Sequence, residues 1–337
     1  MLRFQHEART VELPLGTTWT KAKQGESYRD TAEETLRAII AEIEGGVSWR
    51  EAVRARYADT HPWLYQIVSS PARALFFRRY PPMAGSRVLD VGAGWGQIAL
   101  PLAREFAAEV TALEPTAERL AFIRAAATQE NVADRMRFLE ADFFEVQFGP
   151  SFDLICCIGV LEWVPRFRAG DPRATQLDFL RRIRAALRPG GSCCVGIENR
   201  LGLKYLLGER DDHTSLRGIS VLDASLAAEK HRAATGTELR AFTYTHAEYL
   251  TLFQEAGFAT VESHAAYPDY KLPQLILPLA SPAETNRKLC TDPLPPEHDG
   301  IDGHILTQTD TIHSHYRSLA ALGIAHYFAP SYFFVLK

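Results

Sequence analysis

Blocks of apolar residues recur along the chain, separated by amphipathic stretches and by turns rich in glycine and proline. Short apolar blocks between turn residues are typical of buried strands, and the amphipathic stretches are typical of helices. The predicted strands lie in residues 87–91, 109–114, 136–142, 152–163, 187–197, 260–267 and 331–337. Strands that alternate with helices predict an α/β fold.

The first 80 residues have a different pattern. Residues 10–15 predict a short strand or arm, and residues 27–80 are predicted to be helical. Residues 31–44 form the clearest amphipathic helix and end before a Gly-Gly pair. Their apolar positions at helical spacing are Leu36, Ile39, Ile40 and Ile43. A second helix is expected after Ser48 and a third near Pro71.

The first core strand runs into three alternate glycines, Gly92, Gly94 and Gly96. A strand, a tight glycine turn and a helix N-terminus bring backbone close to a nucleotide-like ligand. The pyrophosphate fingerprint needs a glycine where Gln97 stands, which disfavours a dinucleotide. Glu114, at the end of the next strand, suits the two free hydroxyls of a ribose. The pattern therefore predicts a site for a nucleoside cofactor.

Four motifs follow one another in order along residues 85–198. They are Val88-Leu-Asp-Val-Gly-Ala-Gly-Trp-Gly96, Glu114 after the second strand, Asp142-Phe143 after the third and Leu187-Arg-Pro-Gly-Gly191 before the fifth. In these motifs the chain resembles the class I S-adenosylmethionine-dependent methyltransferases. The resemblance implies S-adenosylmethionine as cofactor and a doubly wound, Rossmann-like α/β fold. Its sheet would have seven strands, the last running antiparallel between the fifth and the sixth.

The resemblance also implies where that cofactor binds. The three glycines would flank its methionine part with Asp90 behind them, and Glu114 would bind the ribose. Asp142 would take the adenine amino group, while Phe143 would offer a backbone N–H and an apolar edge to the ring. The pair Ile158-Gly159, at the end of the fourth strand, would hold the amino and carboxylate groups.

The chain extends beyond this core in three places. Residues 1–80 are expected to form an N-terminal arm and a helical lid, and residues 81–337 the methyltransferase core. Insertions at 198–240, after the fifth strand, and at 271–325, after the sixth, leave the sheet where ligands bind in α/β folds. We expect these insertions to build the pocket for the methyl acceptor.

The first insertion carries the candidate acid-base residues. Methyl transfer to a hydroxyl requires an aligned nucleophile and removal of its proton. His213 is the first candidate for that base because an imidazole titrates near neutrality, and Asp211 or Asp212 would orient its ring. A surface histidine in a charged loop is the competing interpretation. Glu198, at the end of the fifth strand, is the second candidate base.

Further polar and aromatic residues are expected either to bind the acceptor or to act as structural partners. They are Asn199, Arg200, Tyr270 and Lys271, with Trp63 and Tyr65 of the lid as pocket walls or as packing between lid and core. Residues 198–214, 267–273 and 329–334 resemble a bacterial subgroup of these methyltransferases that is associated with polysaccharide or specialised-metabolite biosynthesis. That finer resemblance favours a small polar acceptor such as a sugar.

No metal site is predicted. Asp211, Asp212 and the stretch from Glu297 to His315 offer possible ligands, but adjacent acids in loops are usually solvated and the histidine spacing matches no closed zinc pattern. The adjacent cysteines at 156–157 and 193–194 lack the spacing of a metal or redox motif. They are predicted to be small apolar fillers inside neighbouring strands.

The composition of the chain indicates which classes of binding partner to expect. A net charge of −4 gives no basic field for nucleic acid. No apolar run approaches the roughly 20 residues of a membrane-spanning helix, and the N-terminus lacks the apolar segment of a signal peptide. We expect a cytoplasmic protein that acts on a small molecule, with neither nucleic acid nor membrane as partner. The oligomeric state stays open.

Three functions remain in view. The favoured one is O-methylation of a sugar or another hydroxylated metabolite. In the alternative, N-methylation of an amine or guanidine, carboxylates and aromatic faces orient a neutral nucleophile and a base matters less. The third is a non-catalytic cofactor-binding partner protein, which the dense polar insertion disfavours.

Overall fold

A computed structural model describes residues 1–21 and 31–337. Residues 27–30 of the predicted helical region lie outside the described residues. The strands are β1 (Leu2–His6), β2 (Arg9–Leu13), β3 (Thr18–Trp19), β4 (Arg87–Val91), β5 (Glu109–Glu114), β6 (Met136–Glu140), β7 (Val146–Phe148), β8 (Phe152–Ile158), β9 (Leu187–Glu198), β10 (Val261–Tyr267), β11 (Leu275–Pro278) and β12 (Ser331–Leu336).

The α-helices alternate with these strands through the middle of the chain. They are α1 (Glu33–Glu44), α2 (Trp49–Tyr57), α3 (Pro62–Ser69), α4 (Leu75–Arg79), α5 (Ala99–Glu105), α6 (Ala117–Gln129), α7 (Pro172–Ala186), α8 (Leu203–Leu206), α9 (Ala224–Thr235), α10 (His246–Glu255), α11 (Pro282–Thr291) and α12 (Thr309–Ala321). No helix among the described residues combines the length and the apolar composition needed to cross a membrane.

The chain groups into two compact units. The first unit contains residues 1–158 and 181–194, and the second contains residues 159–180 and 195–336. Residues 1–80 fall within the first unit together with the first core strands, so the expected division at residue 80 remains a prediction.

The first unit is built on a mostly parallel sheet, which confirms the predicted α/β fold class. Its strand order is β9, β8, β4, β5, β6 and β3. Strand β4 pairs in parallel with β8 on one side and with β5 on the other, so that Val88 lies opposite Leu154 and Val110. Apolar residues on these strands, such as Val88 and Val110, have no solvent exposure. The four cysteines of β8 and β9 are buried free thiols, as their apolar role requires.

A helical layer and a small second sheet complete the first unit. Helix α1 packs on α6, and the Trp49 backbone N–H of α2 donates a hydrogen bond to Gln129 of α6. The predicted arm is an antiparallel hairpin of β1 and β2, extended by β7. The helix predicted near Pro71 is a 3-10 turn from Pro71 to Ala74 that leads directly into α4. Helix α3 was not predicted, and it begins at Pro62, because proline at the first helical position starts a helix well.

The second unit has an antiparallel arrangement of strands in the order β11, β10, β12. The sixth and seventh predicted strands, β10 and β12, pair antiparallel with His264 opposite Phe333. Strand β11 lies in the second insertion and was not predicted. The rings of Tyr249 and Phe253 on α10 pack on Phe334 of β12, with centroids 5.4 and 5.0 Å away.

Candidate functional site

The glycine-rich loop after β4 has a backbone that favours glycine. Gly92, Gly94 and Gly96 have φ angles of +66°, +57° and +79°. Residues with a side chain rarely adopt such angles, so the sequence pattern follows from the geometry of the loop. The Gly94 N–H donates a hydrogen bond to Glu114 Oε2 at 2.9 Å, which ties the loop to the end of β5.

Glu114 is a buried carboxylate with room for further donors. Its Oε1 accepts the Thr116 N–H at 3.0 Å, and its Oε2 accepts the Gly94 N–H. Burial raises the pKa of Glu114, while Arg119, 3.9 Å away, acts in the opposite direction. Each carboxylate oxygen keeps a lone pair after one backbone contact. Two ribose hydroxyls match that capacity.

Asp90, directly before the loop, has an orphaned acceptor. Its side chain is buried, and Oδ2 has no hydrogen-bond partner within the described part of the chain. Burial raises the pKa of Asp90 to about 7, against the lowering effect of Arg73. A buried acceptor without a donor favours a ligand that brings one. The hydroxyl and ammonium groups of S-adenosylmethionine fit the carboxylates of Asp90 and Glu114.

The third predicted contact lies in a capped turn. Asp142 Oδ1 accepts the Phe144 N–H at 2.8 Å, and the Asp142 N–H donates to Glu145 Oε2 at 2.9 Å. This capping box fixes the backbone around Phe143, whose side chain is buried. The predicted roles of Asp142 and Phe143 toward adenine remain predictions.

The remaining predicted contacts are distributed over both units. Ile158 ends β8 in the first unit, and Gly159 begins the second unit, where a Cβ on it would lie 2.8 Å from Tyr270 Oη. Trp63 is buried and Tyr65 is half-buried on α3. Their role as pocket walls or as packing residues remains a prediction.

The acid-base residues predicted from the sequence come together in the second unit. His213 Nε2 lies 3.5 Å from Glu198 Oε2, and His213 Nδ1 lies 4.0 Å from Asp211 Oδ2. Lys271 Nζ lies 2.6 Å from Glu198 Oε1 and 2.9 Å from Asp212 Oδ2. The His213 side chain is only 5% exposed, so it is not a surface histidine.

Two members of this cluster were missed by the sequence analysis. Glu162, four residues after β8, is fully buried, and its Oε1 lies 4.0 Å from His213 Nε2. Tyr270 Oη donates a long hydrogen bond of 3.5 Å to the same oxygen, and Glu162 Oε2 has no hydrogen-bond partner among the described residues. Lys204 on α8 places Nζ 3.2 Å from Asp212 Oδ1. The sequence did contain a signal for Glu162, because this residue follows the core strand β8 just as Glu198 ends the next strand, β9.

The lysines keep two carboxylates charged. Burial alone would raise the pKa of Glu198, but Lys271 and then His213 bring it below its ordinary value. Burial also opposes the charge of Asp212, and the ammonium groups of Lys204 and Lys271 lower its pKa. Both carboxylates are therefore ionised at neutral pH.

The pKa values of His213 and Glu162 are raised, in contrast to those of Glu198 and Asp212. Burial disfavours the charged imidazole, but Glu198 and Asp211 raise the pKa of His213 well above its ordinary value. Burial, followed by the negative charge of Glu198, raises the pKa of Glu162 to about 7. The imidazole is thus charged at neutral pH, above the titration range expected from the sequence. Glu162 is the member that exchanges a proton near neutrality.

Glu162, Glu198 and His213 also form a group that can hold a metal ion. One ligand atom from each lies within 4.8 Å of the others. The Lys271 ammonium already contacts one oxygen of Glu198, which opposes a cation there. The absence of a metal remains a prediction.

The second insertion closes on the cluster at Gly300. A Cβ on Gly300 would stand 2.0 Å from Asp212 Oδ2, so only a hydrogen fits between this backbone and the carboxylate. Arg210 holds the same loop, with Nη2 2.8 Å from Asp299 Oδ2. Of the histidines of this insertion, His298 lies beside the cluster, with Nε2 3.4 Å from Asp269 Oδ2, whereas His313 Nε2 contacts the Pro295 carbonyl.

Asn199 and Arg200 have mainly structural contacts. The Asn199 amide donates to the carbonyls of Ala329 and Tyr327 at 2.8 and 2.9 Å, which argues against its predicted contact with the acceptor. Arg200 Nε donates to Glu248 Oε2 at 2.9 Å. These contacts position the chain just after Glu198.

Comparison with known proteins adds to this geometry. Residues 88–191 match a family described as "Methyltransferase domain". A ubiquinone biosynthesis O-methyltransferase of Xanthomonas euvesicatoria pv. vesicatoria (strain 85-10) is 30% identical over 138 residues, which cover 41% of this chain and 54% of that protein. Another of the same name from Psychrobacter cryohalolentis is 32% identical over 126 residues, covering 37% and 45%. The chain spans about half the length of these curated relatives.

Solved methyltransferase structures are also similar. The CcbJ methyltransferase of Streptomyces caelestis matches with a TM-score of 0.46 at 18% identity, covering 80% of this chain and 95% of that one. Phosphoethanolamine N-methyltransferase 2 of Haemonchus contortus, in complex with S-adenosyl-L-methionine, matches with a TM-score of 0.46 at 19% identity, covering 87% and 60%.

The matched region contains the glycine loop, both of its buried carboxylates and the capped turn after β6. The sequence similarity and the parallel sheet agree on one conclusion. Residues 88–191 therefore carry a methyltransferase domain of the class I S-adenosylmethionine-dependent type.

Proposed function

We propose that the protein transfers a methyl group from S-adenosylmethionine to a hydroxyl oxygen of a small acceptor, a sugar or another hydroxylated metabolite. The observation that carries this proposal is the buried triad of Glu162, His213 and Glu198, with a carboxylate that titrates near pH 7. An aliphatic hydroxyl must lose its proton as the new bond forms, and a base whose pKa lies near the working pH suits that task.

The residues of the triad have different roles in the proposed reaction. S-adenosylmethionine supplies a methyl group on a positively charged sulfur when it is bound. Glu162 accepts the proton of the hydroxyl, and its Oε2 has no competing hydrogen bond among the described residues. His213 lies between Asp211, 4.0 Å from Nδ1, and Glu198, 3.5 Å from Nε2, and its positive charge favours the ionised form of the neighbouring carboxylates. The products are a methyl ether, S-adenosylhomocysteine and one proton.

Asp211 prepares His213 for this role. Asp211 Oδ1 accepts the backbone N–H groups of His213 and Thr214 at 3.0 and 2.8 Å. The same side chain therefore orders the loop and lies 4.0 Å from the ring, which supports the proposed role of Asp211 in orienting His213. Asp212, the other residue considered for that role, instead forms ion pairs with Lys204 and Lys271.

The names of the curated relatives agree with oxygen as the methylated atom. One observation supports the N-methylation alternative. The centroid of the Trp163 ring lies 5.1 Å from that of the His213 ring, beside an excess of carboxylates. An amine acceptor would use these groups for orientation and would depend little on Glu162. A cytoplasmic location and the absence of nucleic-acid and membrane partners remain predictions from the sequence.

A methyl-transfer assay tests the proposal. The purified protein is incubated with S-adenosylmethionine and separate panels of hydroxylated and amine metabolites, and products with one added methyl group are sought by mass spectrometry. We expect products from hydroxyl acceptors and loss of that turnover in Glu162→Gln. Methylation of amines alone, undiminished in Glu162→Gln, would favour the N-methylation alternative. Tight cofactor binding with no product in either panel would favour the non-catalytic role.

A further inference from the structure

A turn after strand β10 carries Tyr270 and Lys271 to the buried cluster. Asp269 lies directly before these two residues, and its Oδ1 accepts the Leu272 N–H at 2.8 Å. An aspartate that accepts an N–H from a residue shortly after it in the chain fixes the backbone between them. Asp269 is buried, so this hydrogen bond forms away from competing water. The direction in which Tyr270 and Lys271 leave the turn therefore depends on Asp269.

The second oxygen of Asp269 faces the second insertion. His298 Nε2 lies 3.4 Å from Asp269 Oδ2, and both side chains are buried. On the other edge of the ring, His298 Nδ1 lies 3.3 Å from the Asp299 carbonyl. Both ring nitrogens thus face oxygen atoms, and an N–H on Nε2 is attracted by the Asp269 carboxylate. Asp269 therefore connects the turn to the loop of the second insertion.

The two residues that the turn presents both act on the triad. Lys271 Nζ lies 2.6 Å from Glu198 Oε1, and its charge also favours the ionised form of Glu162. Tyr270 Oη donates to Glu162 Oε1 at 3.5 Å. A displacement of the turn would change both contacts together, and with them the charge that surrounds the proposed base.

The position of the Tyr270 ring is narrowly defined. A Cβ on Gly159 would lie 2.8 Å from Tyr270 Oη and 3.3 Å from Cε2, so the phenol packs directly against the backbone at the end of β8. Gly159 has a φ of +72°, an angle that residues with a side chain rarely adopt. Because the ring fits this closely, a small movement of the turn is enough to change its contact with Glu162.

We propose that Asp269 and His298 are a positioning pair for the base Glu162. Asp269 holds the turn from inside, His298 holds Asp269 from the second insertion, and together they keep Lys271 and Tyr270 in the cluster. The pair acts through these two residues and takes no proton from the acceptor. The proposal rests on the proposed function for the identity of Glu162 as the base, whereas the effect of the pair on the Glu162 carboxyl requires no turnover.

Substitution of Asp269 tests the first contact. Asp269→Ala frees the turn, and withdrawal of the Lys271 charge should raise the pH at which turnover rises by about one unit. At pH 7 the ionised fraction of Glu162 would fall from about half to about a tenth, so kcat should fall about fivefold. Asp269→Asn keeps an oxygen for the Leu272 N–H and should restore most of kcat. Asp310→Ala, at an exposed position of α12, is the control.

Substitution of His298 tests the second contact. His298→Ala should move the pH profile in the same direction by less than Asp269→Ala does. The double variant should move it no further than Asp269→Ala alone, because His298 acts through Asp269. His304→Ala, at an exposed position of the same loop, is the matched control and should keep the wild-type profile. Fully additive effects of the two substitutions would contradict a shared role.

The Glu162 carboxyl can also be titrated without turnover. Carbon-13 NMR of protein labelled at the glutamate carboxyl groups follows its ionisation, and Glu162→Gln assigns its signal. We expect the midpoint to move to higher pH in Asp269→Ala and to stay at the wild-type value in Asp310→Ala. A folded Asp269→Ala protein with an unchanged midpoint would overturn the inference. If thermal melting shows that Asp269→Ala does not fold, His298→Ala makes the same test.

Failure of this inference differs from failure of the proposed function. A Glu162 titration that moves in Asp269→Ala, without a methylated product from any hydroxyl acceptor, supports the action of the pair on Glu162 and contradicts O-methyl transfer. O-methylation that is lost in Glu162→Gln, with the wild-type pH profile kept in both Asp269→Ala and His298→Ala, supports the function and contradicts the positioning pair.

Discussion

His213 Nε2 lies 4.0 Å from Glu162 Oε1 and 3.5 Å from Glu198 Oε2, so one imidazole edge meets two buried carboxylates. Two negative charges around one ring keep it protonated, and the remaining proton exchange near neutrality falls to Glu162. Because these groups titrate together, a pH profile reports on the cluster as a whole.

The first prediction concerns the pH dependence of methyl transfer. Glu162, with a pKa of about 7, accepts a proton only when ionised, so turnover should rise as the pH increases through about 7. Glu162→Gln should lower kcat by about 10² to 10⁴-fold and remove that rise. Glu229→Gln, at an exposed position of α9, is the control for the same chemical change and should behave as wild type.

His213→Gln completes this experiment. If His213 itself takes the proton, as the sequence suggested, wild-type turnover should rise only well above neutral pH, because the pKa of His213 is raised. His213→Gln should still lower kcat, through loss of the charge between Glu162 and Glu198, while cofactor affinity changes little. His315→Gln, on the exposed face of α12, is the control. Normal turnover in both Glu162→Gln and His213→Gln would remove the cluster from the reaction.

The second prediction concerns stability. Lys271→Met leaves Glu198 and Asp212 without their shared ammonium, and breaking a buried ion pair costs about 3 to 5 kcal/mol. Lys288→Met removes a lysine from a more exposed pair with Glu284 and should cost about 1 kcal/mol or less. Urea unfolding of both variants at pH 7 measures the difference.

The pH dependence of that difference follows from the carboxylates. Their folded pKa values are lowered, so they stabilise the wild type above their ordinary pKa values and lose this contribution as the pH falls. The deficit of Lys271→Met should therefore shrink in acid, where the orphaned carboxylates take up protons. A deficit as small as that of Lys288→Met at pH 7 would contradict a buried pair.

The third prediction uses the contact between Gly300 and Asp212. Gly300→Ala introduces a Cβ that must displace the carboxylate, because the position of that Cβ lies only 2.0 Å from Asp212 Oδ2. We expect a loss of about 1 to 3 kcal/mol of stability and reduced kcat, since Asp212 can no longer bridge Lys204 and Lys271. Gly149→Ala, where a Cβ meets nothing within 4 Å, is the control. Equal melting temperatures and turnover for the two variants would contradict this contact.

The fourth prediction concerns cofactor affinity. Glu114→Ala removes a charged acceptor from the glycine loop and from the expected ribose hydroxyls, at about 1.5 to 3 kcal/mol for hydrogen bonds to a charged group. Affinity for S-adenosylmethionine should fall roughly tenfold to a hundredfold by calorimetry. Glu44→Ala, at the exposed end of α1, should leave it unchanged. A folded Glu114→Ala protein with wild-type affinity would exclude Glu114 from the site.

The strands of the core could be predicted from the sequence because each is a short apolar block between turn residues. Strand β3 has only Thr18 and Trp19, too short for a periodic pattern, and β11 is hidden in an insertion. Both were missed for that reason. A longer strand can be recognised from its local sequence pattern, whereas strands as short as β3 and β11 form because they pair with strands distant in the sequence.

The cluster was predictable only in part. His213 and Glu198 stood out by residue type and by position at or after a strand end. Glu162 did not, because its contacts with His213 and Tyr270 join positions far apart in the chain, and burial rather than composition gives it its raised pKa. Lys204 lies only eight residues before Asp212, but it is on helix α8, which was not predicted. A sequence shows which groups are available, but their protonation depends on neighbours that only the fold supplies.

The interleaving of the two compact units bears on how the gene can be recombined. Because residues 159–180 belong with residues 195–336, and residues 181–194 belong with residues 1–158, neither unit corresponds to one continuous coding segment. A chimera that takes its second unit from a related protein therefore requires crossovers at 158/159, 180/181 and 194/195. A single crossover anywhere between residues 159 and 194 would give each unit a mixture of parental segments.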